Sequence, residues 1–271
     1  MSREDRMRRK GHLLRLFFHY LKFNTAAGME YRTSFYVQIV GMALNNSAFI
    51  VFWVILFDRI GGSIQGYEFA DVMFLWALVA AGVGLAGVVM ANASQISRII
   101  YQGDLDVYLL QPKPLIPNLV ASRMSIASWG DLSYGIVLFF ATQPVRLDTV
   151  VLFFTFTLLA ALLMTALRVG YHSITFFAGN AEEFASTASE AVISFTLYPG
   201  SIFEGPVLWV LHSLIPAALL AYLPVRLIRN FSLRDFLILL AADLTIVIVA
   251  VVVFRLGLRR YESGNRIGTR V

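Results

Sequence analysis

Cysteine is absent from this chain, and charged residues are scarce. The absence of cysteine excludes disulfide scaffolds, thiolate metal sites and cysteine nucleophiles. Charged residues make up only 14% of the 271 positions and hydrophobic residues 58%, whereas a soluble domain carries about 25% charged residues. Too few charges remain to cover the surface of a water-soluble globule. The composition therefore predicts a membrane protein.

The usual motifs of catalysis and nucleotide binding are also missing. The four histidines are far apart and form no HExxH pair, so we expect no metal site. None of the three lysines stands in the glycine pattern of a Walker A motif, which excludes ATP binding through a P-loop. Because no carboxylate pair or Ser-His-Asp set stands at interpretable spacing, we expect neither catalytic residues nor an enzyme.

Apolar stretches dominate what is present. Seven can be distinguished, at residues 35–57, 72–97, 124–142, 149–167, 184–203, 205–225 and 236–254. The first two carry no charge and are long enough to cross ~30 Å of hydrocarbon at ~1.5 Å per helical residue. Gly82, Gly84 and Gly87 lie in the second stretch, where small residues let membrane helices pack closely.

Basic residues crowd both ends of the chain, with seven Arg and Lys in the first 22 residues and five Arg after residue 254. This is the pattern of membrane topology rather than of nucleic-acid binding, and the positive-inside rule places both ends in the cytoplasm. Two cytoplasmic ends require an even number of crossings, so one stretch does not cross. Stretch 205–225 is the weakest, because Pro206, Pro216 and Pro224 interrupt it.

We therefore predict an all-α membrane protein with six transmembrane helices and a re-entrant extracellular hairpin, residues 204–226, before the last span. This layout leaves Arg226, Arg229 and Arg234 outside, against the rule. Residues 1–34 form a cytoplasmic N-terminus, 35–258 the transmembrane domain and 259–271 a cytoplasmic tail.

Residues 12–23, ahead of the first span, have an amphipathic pattern. Arg15, His19 and Lys22 share one helical face, opposite Leu14, Phe17, Phe18 and Leu21. The pattern predicts an interfacial helix along the inner leaflet. The alternative is an ordinary juxtamembrane flank.

The cytoplasmic loop 98–123 has features of a docking element. Gly103 is placed to end the preceding helix, and Asp104 to cap a new short one. Leu105, Tyr108 and Leu109 would project from one side of that helix, before Pro112, Pro114 and Pro117 redirect the chain. The pattern predicts an apolar projection that fits a groove of another protein. A plain connector is the alternative.

Three runs carry a family resemblance: GDLDVYLLQP at 103–112, the proline-rich run at 198–228 and GLRRYESG at 257–264. Together they resemble the six-span permeases of the ABC type-two exporter superfamily, and specifically a small subfamily formerly of unknown function. The resemblance extends over nearly the whole chain. It implies a permease that dimerises, with a second copy or a paralogous chain, and couples to separate ATPase subunits that bind ATP and Mg.

The resemblance also implies roles for particular residues. The coupling helix would comprise Gly103, Asp104, Leu105, Asp106, Tyr108, Leu109 and Pro112. The extracellular gate would comprise Tyr198, Pro199, Gly200, Phe203, Pro206, Pro216 and Pro224.

Polar residues within the apolar stretches are candidates for a cavity, namely Asn92, Asp131, Glu190 and Asp243. A charge there costs roughly 2.5–3.5 kcal/mol on insertion scales, so a cation-attracting cavity is one interpretation. In the other, these residues pair with polar neighbours such as Arg123 or Arg168, or lie near the interface.

The sequence thus predicts the permease subunit of an ATP-driven exporter in the inner or plasma membrane. Its substrate would be amphiphilic, a drug-like cation or lipid, on a path along spans two and five. Membrane lipids, the ATPase subunits and a second permease are the expected partners, and nucleic acid is not. A membrane scaffold or sensor that recruits a cytoplasmic partner is an alternative. A secondary transporter is another, although we find no repeated halves.

Overall fold

The computed structural model describes residues 3–202, 205 and 216–262, with side chains from residue 13 onward except that of Ser201. All regular elements in these ranges are helices, which confirms the all-helical prediction. The helices are α1 Arg3–Gly28, α2 Arg32–Ile60, α3 Phe69–Met90, α4 Ile96–Gln102, α5 Leu105–Leu109, α6 Leu115–Ala121, α7 Ala127–Thr142, α8 Leu147–His172, α9 Thr175–Ala178, α10 Glu182–Thr196, α11 Leu223–Arg229 and α12 Leu233–Leu258.

The predicted spans coincide with α2, α3, α7, α8, α10 and α12. Four helical runs among the described residues are long and apolar enough to cross a membrane: Leu13–Ile60, Phe69–Gln102, Leu147–Ala178 and Leu233–Leu258. Helices α7 and α10 have only 16 and 15 residues, about 24 and 22 Å of helix against ~30 Å of hydrocarbon. The chain is a membrane protein, and the count of six crossings stays a prediction.

Helix α3 is the centre of the bundle, packed mainly against α7 and α8. Glycines make the close approach of α3 and α7 possible: a Cβ on Gly84 would lie 2.3 Å from the backbone nitrogen of Leu132, and one on Gly135 would lie 2.5 Å from the oxygen of Ala77. The predicted role of the α3 glycines in close packing is confirmed for Gly84. In contrast, α2 and α12 expose rows of apolar side chains, among them Leu44, Val51, Leu244 and Val252, as lipid-facing helices do.

The buried side chains form two clusters, one toward each end of the bundle. The first surrounds the start of α3 and includes Trp53, Phe74 and Phe153. The second surrounds the end of α3 and includes Leu105, Leu163 and Phe254. The chain therefore has a packed core beneath both ends.

Contacts between loops show which helix ends lie together. The Gln143 side chain, after α7, donates to the Ala70 oxygen at the start of α3, with 2.6 Å between Nε2 and O. Arg229, before α12, forms an ion pair with Asp71. At the other end Ser97 meets His172. Alternate helix ends thus gather at opposite ends of the bundle, as an up-and-down layout requires.

Two of the three arginines that disagreed with the positive-inside rule have acidic partners. Besides the pair between Arg229 and Asp71, Arg226 lies 3.1 Å from the Asp235 carboxylate. Their charges are partly neutralised, which lowers the cost of placing them on the outer side.

The described half of the predicted hairpin is a helix. Residues 217–229 continue from a π-helical turn, Ala218–Tyr222, into α11 without interruption. The expectation that Pro224 breaks the helix is wrong: the π turn has already shifted the hydrogen-bond register, with Leu223 donating to Ala218, before proline removes a donor. Phe203, Pro206 and the rest of the hairpin's first half lie outside the described residues, so re-entry stays a prediction.

Helix α1 contains the predicted interfacial segment. Tyr31, with φ −105° and ψ 71°, leaves helical geometry and separates α1 from α2. The predicted apolar face is divided, because Leu14 and Phe18 are exposed whereas Phe17 packs against the second core cluster. One side of α1 lies along α6.

Candidate functional site

The loop between α3 and α7 begins as the sequence predicts. Gly103 ends α4 in the left-handed region at φ +80°, and its N–H donates to the Ile100 oxygen at 3.2 Å. This backbone conformation favours glycine. Asp104 occupies the position before α5, but its side chain makes no capping hydrogen bond. The predicted Asp104 cap is therefore wrong in its contact and right in its position.

Helix α5 is anchored from the inside by a polar junction. The Asn92 side chain, beyond the end of α3, donates to the Leu119 oxygen at 2.9 Å, the Ser122 hydroxyl at 2.8 Å and the Tyr108 hydroxyl at 3.3 Å. The hydroxyls of Tyr108 and Ser122 lie 3.1 Å apart. Leu105 is fully buried beside this junction. Asn92 is thus an anchor of the loop rather than part of a cavity.

The outward surface of the loop is apolar, but its residues differ from those predicted. Leu105 and Tyr108 point inward, so the prediction that they project is wrong. The exposed apolar side chains are Leu110 at 87%, Val107 at 61% and Leu109 at 44%. We call these three residues the apolar tip. The i, i+3 spacing of Val107 and Leu110 is the signal in the sequence that would have identified it.

The closing run of the chain packs beneath the same loop. Tyr261 joins the second core cluster together with Tyr108, and its ring lies 6.1 Å from that of Phe176. Burial raises the pKa of Tyr261 to about 12, and the neighbouring carboxylates of Asp106 and Asp104 add to the rise. Two of the three runs that carry the family resemblance are therefore in one structural unit, which the sequence alone does not show.

A second polar junction connects the loop to α8 and α10. The Ser97 hydroxyl lies 2.8 Å from His172 Nδ1 and accepts from the Thr175 hydroxyl at 2.9 Å. Thr175 in turn accepts from the backbone N–H of Ala181, just before α10, at 3.3 Å. All three side chains are buried. The loop end of the bundle is thereby tied to the start of α10.

Helix α10 has a polar face that the rest of the chain leaves uncovered. Its buried side chains are Ala185, Ser189, Val192 and Thr196, at helical spacing. Its exposed side chains include the polar series Glu183, Thr187, Glu190 and Ser194. A polar stripe with two carboxylates is costly against lipid. This face therefore requires water or another protein chain beside it.

The other candidate cavity residues do not converge. Asp131 accepts a hydrogen bond from Asn46 of α2 at 2.8 Å, rather than pairing with Arg123 or Arg168. Asp243 is buried on the inner face of α12, and its Oδ1 has no partner within residues whose side chains are described. Asn92, Asp131, Glu190 and Asp243 thus lie on four different parts of the bundle. Of these, Glu190 alone is exposed.

The described gate candidates pack together at the end opposite the loop. A Cβ on Gly200 would lie 2.7 Å from Tyr222 Cδ2, and the Tyr222 hydroxyl donates to the Phe195 oxygen at 2.8 Å. The ring of Tyr198 lies 6.1 Å from that of Trp53. Pro199, Pro216 and Pro224 are buried. Phe203 and Pro206 lie outside the described residues, and the gate role stays a prediction.

Comparison with known proteins identifies one family. Residues 43–265 match a family model described as "ABC-2 family transporter protein". The matched range includes the loop, its two polar junctions and α10. No curated protein and no solved structure matches the chain. Within the described residues, no group of three or more His, Cys, Asp or Glu is placed to hold a metal ion.

Proposed function

The chain belongs to the ABC-2 family of transporter proteins, and from this premise we propose that it is the permease subunit of an exporter driven by separate ATP-binding-cassette subunits. The family supports both the membrane role and the partnership with an ATPase. ATP and Mg are bound by that partner. The permease lies in the inner or plasma membrane with both termini in the cytoplasm.

The apolar tip, held on an internally anchored helix, carries this proposal. Three exposed apolar side chains at a water-facing end gain free energy when a partner covers them, about 1.5–3 kcal/mol for each side chain that is fully buried. Because Asn92 and Leu105 fix the other side of α5, a force on the tip is transmitted rather than absorbed. A connector without a partner has no need of both features.

The two polar junctions provide a route for that force. Displacement of α5 moves Asn92 and with it the end of α3, because Asn92 is bonded to Leu119 and Ser122. The contact of Ser97 with His172 and Thr175 extends the displacement to α8 and to the start of α10. Closure of the ATPase subunits on ATP thus tilts α10.

The translocation path runs along the polar face of α10, between this chain and a second permease copy or paralogue. We do not retain span two as a lining element, because every α3 residue from Asp71 onward, through Ser97, is buried or half-buried within the subunit. The exposed carboxylate of Glu190 and the exposed rings of Phe184 and Tyr198 suit an amphiphilic substrate with a cationic group. Efflux of drug-like cations is one such activity.

Co-purification with the ATPase encoded beside this chain, followed by ATPase assays in proteoliposomes, tests the proposal. We expect Leu110→Asp to abolish both the association and the stimulation of ATP hydrolysis. The matched control is Val145→Asp, at an exposed apolar residue of the opposite end, which should leave both unchanged. Full association and stimulation in the double variant Val107→Asp, Leu110→Asp would contradict the proposal.

A further inference from the structure

An open groove of about 1080 Å³ separates α1 from the loop that follows α5. One wall belongs to α1, with Leu16, His19 and Tyr20 at helical spacing. The other belongs to the loop, with Gln111, Pro112 and Lys113. We call this space the basic groove; its lining is completed by Leu13, Arg15, Phe23 and Pro114.

The charge of the basic groove is of one sign. Arg15 and His19 stand one turn apart on α1, and Lys113 faces them from the loop. No lining residue is acidic. The ion pairs found among the described side chains involve other residues. An anionic group entering the groove therefore meets two permanent cations without a competing carboxylate.

Hydrogen bonds hold the loop wall of the groove in place. Lys113 Nζ donates to the Tyr20 hydroxyl at 3.2 Å and lies 5.1 Å from the centre of its ring. The Tyr20 hydroxyl donates to the Asn118 amide oxygen at 2.7 Å, and the Asn118 nitrogen donates to Gln111 at 3.1 Å. Asn118 is fully buried. The Lys113 ammonium is thus directed to the groove by a built network.

The surroundings of the groove favour a lipid over a soluble anion. Helix α1 exposes Leu14 at 74%, Phe18 at 65% and Phe23 at 70% of their surface, as helices at the membrane surface do. The three-residue turn Met29–Tyr31 joins it directly to the apolar helix α2, which keeps it at the depth of the head groups. Phe23 and Leu16 add apolar surface to the basic groove itself.

We propose that the basic groove binds the phosphate head group of an anionic membrane phospholipid, with Arg15, His19 and Lys113 around the phosphate and acyl chain against Leu16 and Phe23. The bound lipid bridges α1 and the loop that carries the apolar tip. Binding itself is independent of the function proposed above. The consequence that anionic lipid steadies the tip for its partner rests on that function.

Native mass spectrometry of the purified full chain tests the binding directly. Phosphatidylglycerol and phosphatidylcholine with identical acyl chains are titrated in parallel. We expect tighter retention of phosphatidylglycerol, weakened by about fivefold for each cation removed in Arg15→Gln and Lys113→Gln. The matched control is Lys22→Gln, which removes an exposed cation of α1 that does not line the groove and should leave retention unchanged.

Further measurements keep the outcome decisive. Lys113→Arg should restore retention, and equal melting temperatures establish that the variants are folded. Equal retention of the two lipids, or equal losses in Lys22→Gln and Lys113→Gln, would overturn the proposal. Competition by soluble glycerol phosphate at the same concentration as the lipid would overturn it in favour of a soluble phosphate compound. Complete release of phosphatidylglycerol on addition of the ATPase would identify the groove as part of the partner's footprint and would also overturn it.

Discussion

The guanidinium of Arg229 donates to both carboxylate oxygens of Asp71, which joins the start of α12 to the start of α3 across 158 positions of the sequence. Arg229 also donates to the Gly66 oxygen at 3.0 Å and lies over the Tyr67 ring. The hydrogen bond from Asp71 raises the pKa of Arg229, so the pair stays ionised at all physiological pH values. This pair fastens the outermost ends of the central and final helices.

Loss of this pair should destabilise the bundle. Because the Asp71 side chain is only 11% exposed, Arg229→Gln leaves a nearly buried carboxylate without its main partner, at a cost of about 1–3 kcal/mol. Thermal unfolding of the purified chain measures it. Arg226→Gln, which removes a pair whose arginine side chain is 72% exposed, is the control and should cost under about 1 kcal/mol. Equal melting temperatures for the two variants would contradict the structural role of Arg229.

The polar face of α10 predicts a difference in access to water. The natural chain has no cysteine, so a single introduced thiol has no background. We expect Thr187→Cys to react with a membrane-impermeant maleimide or to cross-link two copies, because this face borders water or a second permease. Leu244→Cys, at an exposed apolar position of α12, borders lipid and should do neither. Equal reactivity at both positions would argue against a path along α10.

The sequence was a good guide to local structure and a poor one to orientation. Charge-free stretches located the spans, and Gly103 located the end of α4, because both depend on neighbouring residues only. The direction of Leu105 and Tyr108 depends on Asn92 and Ser122, which are distant in sequence. The same reason explains the errors at Asn92 and in span two: burial of α3 results from close packing on α7 and α8, which no pattern within α3 specifies.

The junction at Asn92 predicts a coupling defect. Asn92→Ala removes the donor to Leu119 and Ser122 and leaves buried groups unsatisfied, at about 1–3 kcal/mol. If force passes from the apolar tip through this residue, ATPase stimulation by substrate should fall at least several-fold while binding of the ATPase persists. Asn46→Ala, which removes the partner of Asp131 on α2, is the control for stability. Unchanged stimulation in Asn92→Ala would show that the junction carries no force.

The close contact of Gly257 with Phe176 predicts the sign of two glycine substitutions. A Cβ on Gly257 would lie 2.3 Å from Phe176 Cδ2, whereas one on Gly170 meets only Ala250, at an ordinary 3.7 Å. Gly257→Ala should therefore destabilise the loop end by about 1–3 kcal/mol. Gly170→Ala should stabilise the chain by up to about 1 kcal/mol, since glycine weakens a helix interior. Thermal unfolding of both variants measures the difference, and adding Phe176→Leu to Gly257→Ala should recover part of the loss. Because Phe176 also touches the ring of Tyr261, a displaced Phe176 should weaken association with the ATPase as well. A stable Gly257→Ala variant with full association would separate the closing run from the loop above it.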